Sequence, residues 1–291
     1  MKWEGNRESD NVEDRRGDGG GGGGGIGGRS IGIGTVVIAL VASYFFGVSP
    51  GTVINVLNGG GAPSPDTTQA PAKAPPADDR EARFVSTVLA DTEDTWSAIF
   101  QKAGQTYAKP RLVLFSGRTQ TACGTGQTAS GPFYCPGDKK IYIDLSFYRL
   151  MQERFRVTGE FAQAYVIAHE VGHHVQNLMG IMAKVDQLRS SGSQTQANAL
   201  SVRVELQADC FAGVWAKNAD KARSILENGD VEGALNAATA IGDDALQKQA
   251  QGYVVPDSFT HGSSAQRVRW FKRGLDTGQV SACNTFDAKT L

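Results

Sequence analysis

Two histidines four residues apart, His169 and His173, with Glu170 beside the first, restrict this chain more than any other stretch of it. In a helix, residues four apart stand one turn above each other on the same face. Both imidazoles therefore reach a single ion only if the segment around them is helical. The flanking pattern meets that condition: Phe161, Ala164, Tyr165, Ala168, Val171, Val175 and Leu178 recur at helical intervals. Thr158 and Gly180 are the expected start and stop residues. Glu170 then sits beside the water that a zinc ion at this position carries.

A catalytic zinc takes three protein ligands and keeps a fourth position open. The third is expected from Glu205-Leu206-Gln207-Ala208-Asp209, on a second helical pattern carried by Leu200, Val204, Ala208, Phe211 and Trp215. Glu205 supplies the carboxylate. Asp209, one turn later, accepts the free ring N–H of a zinc-bound histidine and so fixes its tautomer and orientation. The competing reading is a satisfied pair of core histidines, and this second acidic helix weighs against it.

At 291 residues the chain can hold one good-sized domain and some extra segments. Its 29 Lys and Arg nearly balance 30 Asp and Glu, and no long basic run occurs, so no nucleic-acid footprint is visible. The four cysteines all follow position 120, and none is spaced CxxC, which disfavours a cysteine zinc site or a thioredoxin-like pair. In an exported domain an even count reads as two disulfides. Cys123 with Cys135 is the natural local pair, leaving Cys210 with Cys283; the two other connectivities and free thiols stay open.

Residues 1–30 are polar and end in a glycine tract, and they read as a disordered cytoplasmic tail. Residues 31–48 are uncharged and apolar, 18 residues at the lower limit of a bilayer span that 52–57 could extend, and 31–57 read as a transmembrane signal anchor. A buried core helix and a cleaved signal peptide are the rivals. The long acidic n-region and the lack of an A-x-A site weigh against cleavage. Arg15, Arg16 and Arg29 precede this segment, and no Lys or Arg follows it until Lys73. The expected arrangement is thus a single-pass protein of the inner membrane, amino terminus cytoplasmic and the rest extracytoplasmic. Residues 58–77, rich in Gly, Pro, Ala and Thr, read as a linker, and 78–291 as the folded domain.

Within that domain, Phe84 to Phe100 predicts a helix, 111–116 a short buried strand, and 140–145 a second strand. Between 117 and 140 the chain reads as loop. Its segment 131–135 is the candidate sheet edge for a substrate bound as an added strand, an ordinary disulfide-closed loop being the alternative. A helical region from Val231 to Ala250 follows, then His261, the one histidine outside the zinc motif, and Arg267. Able to reach the metal, this pair would stabilise the oxyanion of a tetrahedral intermediate. A capping loop with a solvated arginine is the alternative.

His169-Glu170-Val171-Gly172-His173 together with Glu205–Asp209 resembles the gluzincin class of zinc metallopeptidases. More closely, the chain resembles the bacterial family of membrane-anchored putative neutral zinc metallopeptidases. That likeness extends to the opening Lys2-Trp3-Glu4-Gly5 and Arg7 to Arg16, to Phe133-Tyr134-Cys135-Pro136, to Ile141-Tyr142-Ile143-Asp144, and to His261-Gly262-Ser263-Ser264 with Arg267. The resemblance implies His169, His173 and Glu205 as ligands of Zn2+, with Glu170 as catalytic base. It strengthens the oxyanion role for His261 and Arg267, and it assigns none to His174.

The expected fold is α+β and mostly helical, zincin-like, with a small mixed sheet packed on the metal-bearing helix. The expected reaction is hydrolysis of a peptide or unfolded protein substrate. Zinc activates the water, and Glu170 moves its proton to the leaving amine. The rivals are a metal-stabilised binding or assembly module of the cell envelope with little or no hydrolysis, and a zinc hydrolase acting on a non-peptide bond. The sequence is silent on oligomeric state.

Overall fold

The computed structural model describes residues 1–18, 73–128 and 131–291. Its sheet is mixed, in the order β1 (Val12–Asp14), β2 (Arg111–Phe115), β6 (Lys140–Asp144), β5 (Phe133–Cys135). The first three strands run parallel, Val12 opposite Leu112 and Leu112 opposite Ile141, while β5 is antiparallel to β6. Alternation along β2 and β6 divides their side chains. Leu112, Leu114, Ile141 and Ile143 face the helical core, and Val113, Phe115 and Tyr142 form a smaller apolar layer with Cys135 on the other face. Burial on both faces explains why these strands read as continuous apolar runs.

Helix α1 (Arg80–Lys102) starts at Asp79, whose carboxylate accepts from the Ala82 amide, and it buries Phe84, Val85, Val88, Leu89 and Trp96. The segment 117–140, expected to be loop, contains a hairpin of β3 (Arg118–Thr121) and β4 (Gly124–Gln127). Its Thr-, Gln- and Gly-rich strands carry too little apolar alternation to be recognised. The Cys123–Cys135 disulfide ties this hairpin to β5.

After α2 (Ser146–Phe155) comes the motif helix α3 (Glu160–Leu178), buried almost all round. Its cap is Gly159, not Thr158, while Gly180 follows its end as expected. Helix α4 (Ile181–Ser191) leads to α5 (Gln194–Arg223), which opens with a capping box between Ser193 and Gln196. The expected single helical region 231–250 is two helices, α6 (Asp230–Ala240) and α7 (Asp243–Gln251), divided at Gly242. Helix α8 (Ser264–Thr277) then crosses α5 at Gly274, where a Cβ would lie 1.9 Å from the Cys210 carbonyl oxygen. The second disulfide, Cys210–Cys283, fastens the closing turn Val280–Cys283 to α5. Helices therefore dominate, with a small mixed sheet, as expected.

Two expectations are corrected. Residues 1–18 are no loose tail. Trp3 and Val12 are core residues, β1 is a strand of the sheet, and Lys2 donates to the Ile225 carbonyl. The tail looked disordered because its partners, above all Glu93 and β2, lie more than seventy residues away. The predicted localisation also fails: among the described residues no helix is long and apolar enough to cross a membrane. Residues 31–57, on which the anchor rested, lie outside the described residues, as does most of the expected linker 58–77.

Candidate metal centre

Helices α3 and α5 approach closely because residue 172 has no side chain. A Cβ on Gly172 would stand 3.0 Å from the Ala208 carbonyl oxygen and 3.1 Å from its Cα. This contact sets His169 and His173 against Glu205, which projects from α5. His169 Nε2 is 3.1 Å from one Glu205 oxygen and His173 Nε2 is 3.5 Å from the other. One donor atom from each of the three lies within 4.8 Å of the others. A tetrahedron with bonds of about 2.0–2.1 Å has edges of about 3.3 Å. Two imidazoles and one carboxylate at these separations are a donor set that fits zinc.

Behind His169 stands a buried ionic network. Its Nδ1 is 2.9 Å from Asp209 Oδ1. Asp209 accepts two further bonds from Arg267, Nε to Oδ2 and an amino group to Oδ1, each at 2.9 Å, and one from the Tyr165 hydroxyl. Asp209 thus occupies the place expected of it. Arg267 does not reach the metal face. Its side chain is 3 % exposed, spent on Asp209 on the far side of the His169 ring, and bonded also to the Ile241 carbonyl. The sequence could not reveal this, since Arg267 and Asp209 are 58 residues apart. Burial opposes both charges, yet the pairing with Arg267 and His169 holds the Asp209 carboxyl down at about 2. Burial likewise resists a charge on His169, but Asp209, then Glu205, lift it to about 10.

Glu170 is buried beside the ligands. Burial raises its carboxyl above the ordinary value, and the Glu205 charge adds to this while His173 and His169 oppose it. His261 is on the loop before α8, its side chain about half exposed, with Nδ1 3.1 Å from Asp243 Oδ1. Asp243 Oδ2 accepts the backbone amides of Thr260, His261 and Gly262, so one carboxylate shapes the whole loop. The Glu205 charge is felt at His261, raising its pKa together with Asp243 against the effect of burial. His174 is turned away, fully buried. Its Nε2 bonds the Ala108 carbonyl and its Nδ1 the Tyr134 hydroxyl on β5, which fastens the motif helix to the sheet edge.

Four participants escaped the sequence reading. Tyr165 counted as one more member of the apolar stripe, and Asp243 lay unremarked inside the expected helical region 231–250, where the structure starts a new helix. Gln176 and Gln207 bond one another behind His173. Their one local signal is an amide side chain on a buried helical face.

The sequence of this protein matches, over residues 1–286, the family described as "Putative neutral zinc metallopeptidase". It is 52 % identical to the uncharacterized Escherichia coli K12 protein YpfJ over 98 % of this chain and 99 % of that one. Uncharacterized proteins of Mycobacterium bovis and Mycobacterium tuberculosis are 42 % identical over 72 % of this chain and 73 % of theirs. No solved structure matches. The family match takes in the residues 1–18 that form β1 as well as both metal-bearing helices, and the chain belongs to the putative neutral zinc metallopeptidase family.

Proposed function

We propose that this protein is a zinc-dependent peptidase whose ion is held by His169, His173 and Glu205. The observation that carries the reading is the convergence of those three donors within 4.8 Å, with Glu170 buried on the same helix. Bound there, zinc supplies a Lewis acid and a water of lowered pKa. Glu170 takes the proton of the attacking water and delivers it to the leaving amine. Asp209 keeps the His169 lone pair on Nε2, toward the ion. His261, its Nδ1 held by Asp243, turns its other nitrogen to the oxyanion. The oxyanion is left to His261 alone, because Arg267 is committed to Asp209. Strand β5 ends the sheet next to α3, and its outer edge offers main-chain groups to an extended peptide.

The test uses the full zinc-loaded chain, incubated with a reduced and alkylated globular protein beside Glu170→Gln, fragments being identified by mass spectrometry. Wild type is expected to cleave and Glu170→Gln to bind one zinc while losing about 10²–10⁴ of the rate. Cleavage by Glu170→Gln at the wild-type rate would remove Glu170 from the mechanism. One zinc in both proteins and cleavage by neither would favour the metal-stabilised binding module.

A further inference from the structure

Behind His173 runs a second chain of polar groups, uncharged throughout. His173 Nδ1 is 2.9 Å from Gln176 Oε1. Gln176 Nε2 donates to the Val204 carbonyl at 2.8 Å and to Gln207 Oε1 at 3.0 Å. Gln207 Nε2 in turn donates to the Cys283 carbonyl at 3.0 Å. Gln176 is 0 % exposed and Gln207 5 %. Buried amides of this kind are satisfied or costly.

The direction of every bond follows from the far end. A main-chain carbonyl only accepts. The Cys283 carbonyl therefore demands the amino group of Gln207 and turns Gln207 Oε1 toward Gln176. The Val204 carbonyl makes the same demand of the Gln176 amino group and turns Gln176 Oε1 toward His173. An amide oxygen there requires a donor. The proton of neutral His173 thus belongs on Nδ1 and the lone pair on Nε2, the atom that faces Glu205.

We infer that Gln176 and Gln207 are positioning residues that set the tautomer and ring orientation of His173 for metal binding, held at their outer end by the Cys210–Cys283 disulfide. The disulfide joins α5, one residue past Asp209, to the turn that carries the Cys283 carbonyl. The two ligand histidines are thus oriented by different means. His169 has a carboxylate neutralised by Arg267, and His173 has a neutral amide pair ending on main chain. A second carboxylate behind His173 would add a charge that no neighbouring cation balances among the bonds described. This inference rests on the zinc reading of the site and deepens it.

The experiment measures zinc affinity of the full chain by competition with a chromophoric chelator. Gln176→Leu is expected to weaken binding by about 10–100-fold and to shift the visible spectrum of the cobalt-substituted protein. Gln207→Leu is expected to lose affinity in the same direction but by less, since Val204 still directs Gln176. The Gln176→Leu/Gln207→Leu protein should bind no more weakly than Gln176→Leu, because the two groups act in series. The Cys210→Ser/Cys283→Ser protein should lose affinity as Gln207→Leu does. Asn218→Ala, which removes amide bonds to Val214 and Gly278 from the same helix, should leave zinc affinity unchanged. If Gln176→Leu does not fold, Gln207→Leu and the cysteine variant decide. Zinc binding within twofold of wild type in the folded variants overturns the relay, as do additive losses in the double variant. A wild-type chain without zinc affinity overturns the site reading, and the relay with it.

Discussion

At the scale of single residues, the centre is organised by what stands behind the ligands. Asp209 and Arg267 are buried together, and removing one leaves the other's charge without a partner in a low-dielectric interior. Asp209→Asn is therefore expected to cost about 3–5 kcal/mol of stability, read by urea unfolding. The same variant should weaken zinc binding by about 10–100-fold in chelator competition. Unchanged affinity together with lost stability would make Asp209 a packing residue only. His169, His173, Glu170, Glu205 and Asp209 were all legible in the sequence, since spacing on a helix is a local property. Arg267 was legible as a residue and misread as a role, because which face of the His169 ring it meets depends on how α8 crosses α5.

At the scale of elements, the separation of α3 and α5 is the controlling dimension. Gly172 permits it, and an added methyl must displace Ala208 backbone that the packed helix cannot easily yield. Gly172→Ala is expected to destabilise the fold by about 1–3 kcal/mol. It should also lower zinc affinity, because Glu205 moves away with its helix. Calorimetric unfolding with and without zinc separates the effects: an equal fall in Tm for both forms would show that the metal distance is unaffected. Helices α1, α3 and α5 and strands β2 and β6 were visible as apolar patterns, while β5 was only a candidate sheet edge within a loop. The β3–β4 hairpin was missed because its register rests on main-chain pairing and a disulfide instead of apolar alternation.

At the scale of the molecule, residues 1–18 complete the fold. Arg7, Ser9 and Asn11 all bond Glu93, a carboxylate buried in α1, while Glu13 gathers Arg15, Arg111 and Lys140. A chain beginning at residue 73 would lose β1 and leave Glu93 with Lys109 as its remaining cation. It is expected to unfold at markedly lower urea than the full chain, and equal midpoints would show that β1 is dispensable. Acid should act at the same places. Burial opposes ionisation of Glu13 and Glu93, yet their partners hold both below the ordinary value of 4.5. A carboxyl depressed in the folded state stabilises fully above its unfolded value, and the stabilisation fades as pH falls through the folded one. The contribution of Glu13 and Glu93 to the urea midpoint is thus expected to be complete above about pH 5 and to fade below about 4.5. Glu93→Gln should show a smaller drop, and an identical drop would exclude Glu93 as a source.

Sequence alone determined the two helices that carry the candidate ligands and the mostly helical class, because each follows from local periodicity and residue chemistry; it offered Cys123 with Cys135 as a local pair, and the fold settled both disulfides. Tertiary structure decided that the amino-terminal segment carries a strand, that Arg267 bonds Asp209 behind His169, and that Gln176 and Gln207 stand in a chain behind His173. These depend on contacts between segments far apart in the chain, where composition is mute and only packing brings donor to acceptor.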